Sequence, residues 1–209
     1  MTDKQAERRE TLRGRILEAA EARIVAGGIA NLRAREIMAD AGAALGGLYN
    51  VFADLDDVVL HVNSRTLARL GETLAAASGG AADPGAALRA LALAYLGFAE
   101  GNRALWSALF DYRYGANRGI PDWHLAEQAV LLVHIVEPLR RLRPDWSEDF
   151  LQLRARTLFG AIHGIVAISL EERFVGLSGK DLATETADFV DVIVAGTRGD
   201  AEGQRGCLA

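Results

Sequence analysis

Apolar residues recur every three or four positions along nearly the whole chain, and no stretch alternates with the period of two that a strand needs. Leu12, Ile16, Ala20 and Ile24 stand four apart and form one face of a helix predicted over about residues 6–27. Arg8, Arg9, Arg15 and several glutamates occupy its opposite side, and Gly27-Gly28 ends it with the left-handed cap that glycine permits. A short helix from about Arg33 to Ala41 stops at Gly42, and "LGGLYNVF" starts another three residues on. Asp54 is well placed as the N-cap of the next helix, with Asp56 and Asp57 in its first turn complementing the dipole. That helix continues to "SGGAADPG" (78–85), the clearest linker in the chain.

Longer patterns follow. Residues 84–113 read as two helices with a soft break at "EGN" (100–102), and "YGANRG" (114–119) reads as a loop. The next helix starts at Pro121 or Asp122 and reaches Arg141; Pro138 inside it predicts a kink, or a break at Glu137. Ser147 caps a helix running to about Phe174, "GLSGK" punctuates, and a last helix spans Asp181 to about Arg198. Residues 199–209 read as a disordered tail. The fold class expected is all-α with about nine helices: a head over 1–54, a helical body over 55–198 and the tail.

Composition narrows this further. With 209 residues, half of them apolar, and four prolines, the chain can bury a real core as one domain or two small ones. The start carries no secretory pattern and no uninterrupted apolar run is long enough to span a bilayer, so no membrane partner and a cytoplasmic location are expected. The only cysteine is Cys207, one place off a prenylation motif, which excludes disulfides and cysteine metal sites within one chain. Net charge is −5, but residues 1–52 hold eight basic against seven acidic side chains, so the remainder carries −6. A mildly basic head on an acidic body keeps attraction to nucleic acid local.

Short helices joined by a glycine turn and followed by a longer helix are the layout of a helix-turn-helix. Two short helices that cross steeply need a glycine between them, and Gly42 supplies it. Leu48 and Phe52, four apart, can anchor the second helix against Ile37 and Met38 of the first. Glycine inside a helix costs about 1 kcal/mol relative to alanine. Gly46 and Gly47 therefore call for a reason, and close approach of the backbone to DNA is one.

"ILEAA" (16–20), "REIMADAG" (35–42) and "GGLYNVFADLDDVV" (46–59) resemble the TetR family of bacterial transcription regulators over roughly residues 12–62. "FGAIHGIVAISLEERF" (159–174) resembles the His-Gly-containing helix of one TetR subgroup. The resemblance implies an all-helical homodimer: an N-terminal domain on double-stranded operator DNA, and a C-terminal domain for dimerisation and for a small-molecule effector whose binding releases the DNA. It also implies roles: Gly42 as turn glycine, Gly46 near the start of the recognition helix, Tyr49 on a DNA phosphate, Leu48 and Phe52 in the core. The departures are equally specific. The family usually has serine at Ala44, a polar residue such as lysine at Leu45, threonine at Gly47 and a basic residue at Leu55.

Two readings of that loss compete. Either Arg33, Arg35 and Asn50, with arginines of the N-terminal arm and backbone approach at Gly46 and Gly47, take over DNA contact, or the protein is a helical sensor that has lost specific DNA binding. Each residue also has a plainer reading: Tyr49 as a half-exposed core tyrosine, and Arg33, Arg35 and Asn50 as solvated surface residues.

In the body, Tyr95, Trp106 and Phe110 belong to an aromatic stripe that is either core or ligand cavity. His134 and His163 lie on apolar helices as core histidines or effector contacts; His163 has the better case for contact because it lies in the matched "HG". No spacing of histidines and carboxylates supports a metal site, and no cofactor is expected. Gly160 and Gly164, i and i+4, open a groove for another helix, either within the chain or across a dimer axis together with Phe189 and Ile193 of the last helix. Nucleophile elbows, phosphate-binding glycine loops and zinc-protease motifs are missing, so no enzyme activity is expected.

Overall fold

A computed structural model of the chain describes residues 3–112, 119–171 and 176–206. The expected loop over 114–119 lies, save Gly119, outside the described residues, as do the expected helix end at Phe174 and Cys207. The described residues form eight α-helices and two short 3₁₀ segments, with no strand, in agreement with the all-α expectation. The helices are α1 (Asp3–Gly27), α2 (Ala34–Asp40), α3 (Leu55–Ser78), α4 (Pro84–Gly101), α5 (Arg103–Asp111), α6 (Asp122–Leu142), α7 (Glu148–Leu170) and α8 (Gly179–Gly206). The 3₁₀ segments are Ile29–Asn31 and Leu45–Asn50.

Two compact units emerge. The first combines Met1–Ala68 with Asn102–Leu125, the second Arg69–Gly101 with Ala126–Ala209. The first reaches beyond residue 54 because Val58, Val59 and Val62 of α3 and Leu105 and Ala108 of α5 share one buried cluster with Ile16, Ala20 and Ile24 of α1. The α1 face expected from the fourfold spacing is this face: its last three members are fully buried and Leu12 packs on the rim.

Local capping chemistry sets the starts of several helices. Asp54 Oδ1 accepts from Asp57 N at 2.9 Å, and Asp57 Oδ2 reaches back to accept from Ala53 N at 2.9 Å, so the two carboxylates close the start of α3. Ser147 accepts from Phe150 N at 3.3 Å at the start of α7. Asp83 accepts from Ala86 N at 2.8 Å ahead of Pro84, whose fixed φ suits the first helical position.

Two sequence expectations are narrowed or corrected. Of the kink or break expected at Pro138, the break is excluded, since α6 continues to Leu142. The ring removes only the bond to the His134 carbonyl, and Arg140 and Arg141 in the last turn favour continuation. The last helix does not end at Arg198 with a disordered tail after it; α8 runs from Gly179 to Gly206.

Within the second unit α4 packs most extensively on α8. Arg89–Asp191 (3.0 Å) and Arg198–Asp83 (2.5 Å) tie their flanks, and a Cβ at Gly85 would lie 2.8 Å from Val194 Cγ1, so glycine is what lets the helices close. α7 carries exposed apolar residues along one side, Leu153 at 57% and Ile168 at 49%. By length and composition alone it could cross a membrane, and little of its most apolar window is buried.

Candidate nucleic-acid interface

The first unit holds a helix-turn-helix built from inside out. Ile37 and Met38 of α2 and Leu48 and Phe52 beyond the turn are all buried in the α1 cluster, as the spacing implied. Gly42 between them has φ +62°. Ala43 N donates to Met38 O (2.9 Å) and Gly42 N to Ala39 O (3.0 Å), the paired bonds of a glycine-capped helix end. Arg15 of α1 donates to the Ala41 carbonyl, and its Nη2 would lie 2.7 Å from a Cβ at Gly42. The backbone conformation favours glycine there, with the arginine tip close above it.

The segment after the turn, Leu45–Asn50, is a 3₁₀ helix rather than a regular α-helix. Its cap residue is Ala44, which makes no side-chain cap bond, and two of the six positions are glycine, so little favours the longer-range α pattern. The segment closes with Gly47 N to Ala44 O (2.9 Å) and Val51 N to Leu48 O (2.9 Å). It turns Leu45, Gly46, Tyr49 and Asn50 outward, Tyr49 at 63% exposure. The two glycines differ. A Cβ at Gly46 would meet nothing within 4 Å, whereas one at Gly47 would meet Met38 Cε at 3.3 Å and Leu12 Cδ2 at 3.7 Å. Gly46 faces out; Gly47 packs inward, against the reading that gives it to DNA.

The cations of the first unit divide by partner. Arg23 holds Asp40 through two bonds (2.5 and 3.0 Å) and Glu36 through a third (2.5 Å), stapling α1 to α2. The hydrogen bond from Arg23 is the main cause holding the Asp40 carboxyl below its ordinary range. Arg13 contacts His61 Nδ1 at 3.1 Å, lies 3.7 Å from Glu10 and sits 5.6 Å over the Phe52 ring. Arg33 folds back onto the carbonyls of Ala30 (3.0 Å) and Leu32 (2.9 Å), holding the loop before α2. Arg35 is exposed and makes no ion pair among the described residues. Arg9 Nε donates to the Asn50 carbonyl at 3.0 Å, and the Asn50 residue is exposed. The sequence placed Arg9 and Arg15 on the outer side of the first helix but did not show their partners, which lie 41 and 26 residues away.

The expected effector residues fall into two groups. Trp106 is buried and lies 5.3 Å from Phe110, which is half-exposed; both belong to the first unit. In the second unit Tyr95 is buried with its hydroxyl 2.8 Å from His163 Nδ1, and Phe159 meets Tyr95 edge-on (5.6 Å) and stacks on His163 (5.7 Å). His134 is part-buried on α6. A Cβ at Gly160 or Gly164 would meet nothing within 4 Å among the described residues. Phe189 and Ile193 are part-buried beside Val192, which is 69% exposed.

Residues 88–195 match the family model described as tetracyclin repressor-like, C-terminal domain. The chain belongs to the TetR family. Among solved structures it is similar to the TetR-family regulator PfmR from Thermus thermophilus, with 19% identity over 87% of this chain and 97% of that one and a TM-score of 0.60. It is also similar to FadR from Bacillus subtilis in complex with stearoyl-CoA (16% identity, 87% and 97% covered, TM-score 0.69). RolR, solved with resorcinol, is a third (17% identity, 93% and 94% covered, TM-score 0.67). At these identities the likeness speaks to the fold. No curated protein matches the chain. In the recognition segment of this TetR-family chain, Ala44, Leu45 and Gly47 place no polar side chain and no cation.

Proposed function

We propose that this TetR-family protein is a ligand-responsive transcriptional repressor. It binds operator DNA as a homodimer through the helix-turn-helix, and a small molecule in the C-terminal domain weakens that binding. The observation that carries the reading is the two-sided segment 45–50, with Leu48 buried behind and Tyr49 and Asn50 exposed in front, on a turn locked by Gly42. Tyr49 then meets a phosphate, Asn50 reads an adenine edge, and Arg35 adds a backbone contact. Gly46 lets the backbone approach the groove, since nothing occupies the space above it.

Dimerisation through α7 and α8 is supported by the unfilled space at Gly160 and Gly164 and by the exposed apolar residues on both helices, with Phe189 and Ile193 on the α8 side. The same covering would account for the apolar composition of α7 without a membrane, and a cytoplasmic site of action follows. Tyr95 and His163 are the effector contacts we favour: a donor–acceptor pair among aromatic rings suits a ligand with a ring and a polar group. His134, Trp106 and Phe110 rank behind them, and we keep the C-terminal domain in the His-Gly subgroup on the strength of His163-Gly164. Turnover of a substrate forms no part of this role.

Gel shifts on the DNA upstream of the protein's own gene test the reading. Specific binding should be seen, weakened several-fold by Arg35→Ala and less by Arg33→Ala, whose guanidinium is committed to its own loop. Equal affinity for the upstream and a scrambled duplex would sink it. The uncapped 3₁₀ segment without a cation favours the second reading, a helical sensor that no longer binds DNA specifically, and that outcome would support it.

A further inference from the structure

We propose that Arg9 of α1 supplies the cationic phosphate contact that the recognition segment lacks, so that a neighbouring helix carries the cation to the DNA backbone. The inference rests on the DNA-binding reading above and adds to it the residue and the chemistry. Of the basic side chains in the first 52 residues, Arg23 is spent on Asp40 and Glu36, Arg15 on the Ala41 carbonyl, and Arg33 on the carbonyls of Ala30 and Leu32. Arg13 is engaged with His61 and Glu10. Lys4, Arg8, Arg9 and Arg35 make no ion pair among the described residues.

Of these four, Arg9 is the one anchored to the recognition segment, through Nε to the Asn50 carbonyl at 3.0 Å. That bond uses one of the five guanidinium donors and fixes the plane of the group, leaving the four Nη donors to grip two oxygens of one phosphodiester. A cleft of about 290 Å³ lined by Ala6, Arg9, Glu10, Arg13 and Val51 leaves room beside it, and Glu10 there is turned to Arg13. The partner is a phosphodiester of duplex DNA, contacted beside the residue that follows Tyr49. A pre-oriented fork loses less freedom on binding than a loose lysine would.

The experiment is fluorescence anisotropy of the full-length chain on its upstream duplex over a KCl series, for wild type, Arg9→Gln and Arg9→Lys. Each phosphate neutralised contributes about 0.9 to the slope of log K against log salt. Arg9→Gln removes one contact from each protomer of the homodimer, so it should bind about 10- to 50-fold more weakly near physiological salt, with the slope shallower by about two. Arg9→Lys keeps the charge and should restore the slope. An exposed helix position makes Gln neutral for folding, which circular dichroism checks. Weaker binding at an unchanged slope would mean that Arg9 only props the segment, and unchanged binding would mean that it does nothing there; either overturns the proposal while leaving the DNA reading intact. A wild-type chain that binds no duplex overturns both.

Discussion

The helices around the turn, in the first unit, and α7 and α8, in the second, treat their apolar faces differently. In the first, the helices around the turn bury theirs: Ile16, Ile24, Ile37, Leu48 and Phe52 are almost wholly inaccessible within one chain. In the second, α4 and α8 close tightly at Gly85, yet Leu153 and Ile168 of α7 and Val192 of α8 remain about half exposed or more. A unit that leaves long helices apolar on the outside carries a face whose burial needs something else, and on our reading that is a second copy of the chain.

The hardest blow to this contrast is a cavity in the buried cluster behind the turn. Phe52→Ala removes a ring that is 2% exposed and should cost about 3–5 kcal/mol in urea unfolding, the range for large-to-alanine changes in a packed core. Tyr49→Ala, three residues away and outward, should stay within about 0.5 kcal/mol. If the two variants lost similar stability, the two-sided description of the segment would be wrong.

At the open face the signs reverse. Val192→Asp should leave folding nearly unchanged, because the residue is already 69% exposed. It should, however, convert the proposed dimer to monomer in light scattering at micromolar concentration, since a buried unpaired carboxylate at an interface is costly. A wild-type monomer, or a Val192→Asp dimer, would break the assignment of α7 and α8 to the interface.

What was legible in the sequence is what short-range chemistry controls. The fourfold spacing on α1, the Gly42 turn, the caps at Asp54 and Ser147, and the Leu48–Phe52 anchor each depend on residues within a turn or two, and each appears in the structure. What escaped was long-range or directional. Gly46 and Gly47 look alike as letters, and only the neighbouring Met38 and Leu12 distinguish the one facing out from the one packed in. Arg33 looked available for DNA until the loop carbonyls beside it were placed. Arg9 could not be linked to Asn50 across 41 residues, because no periodicity connects a helix face to a carbonyl on another element. Tyr95 and His163 were named separately as candidates, but the bond between them spans 68 positions and emerged only with the fold.

The smallest effect separates two kinds of carboxylate, one in each unit. Asp40 is held below its ordinary value first by its bond from Arg23, whereas Asp83 is held low first by the backbone N–H of Ala86 and then by Arg198. For both, a folded value below 3.8 means that the stabilisation is complete above that pH and is lost as acid titrates through the lower, folded value. Asparagine keeps a cap acceptor but no charge. Asp83→Asn should therefore move the urea midpoint little at any pH, while Asp40→Asn should lower it near neutrality, with the gap to wild type closing in acid. Both carboxylates are solvent-exposed and screened, so the Asp40 gap should also shrink in high salt. A gap that persisted in acid would place the cost in lost geometry between α1 and α2, not in lost charge.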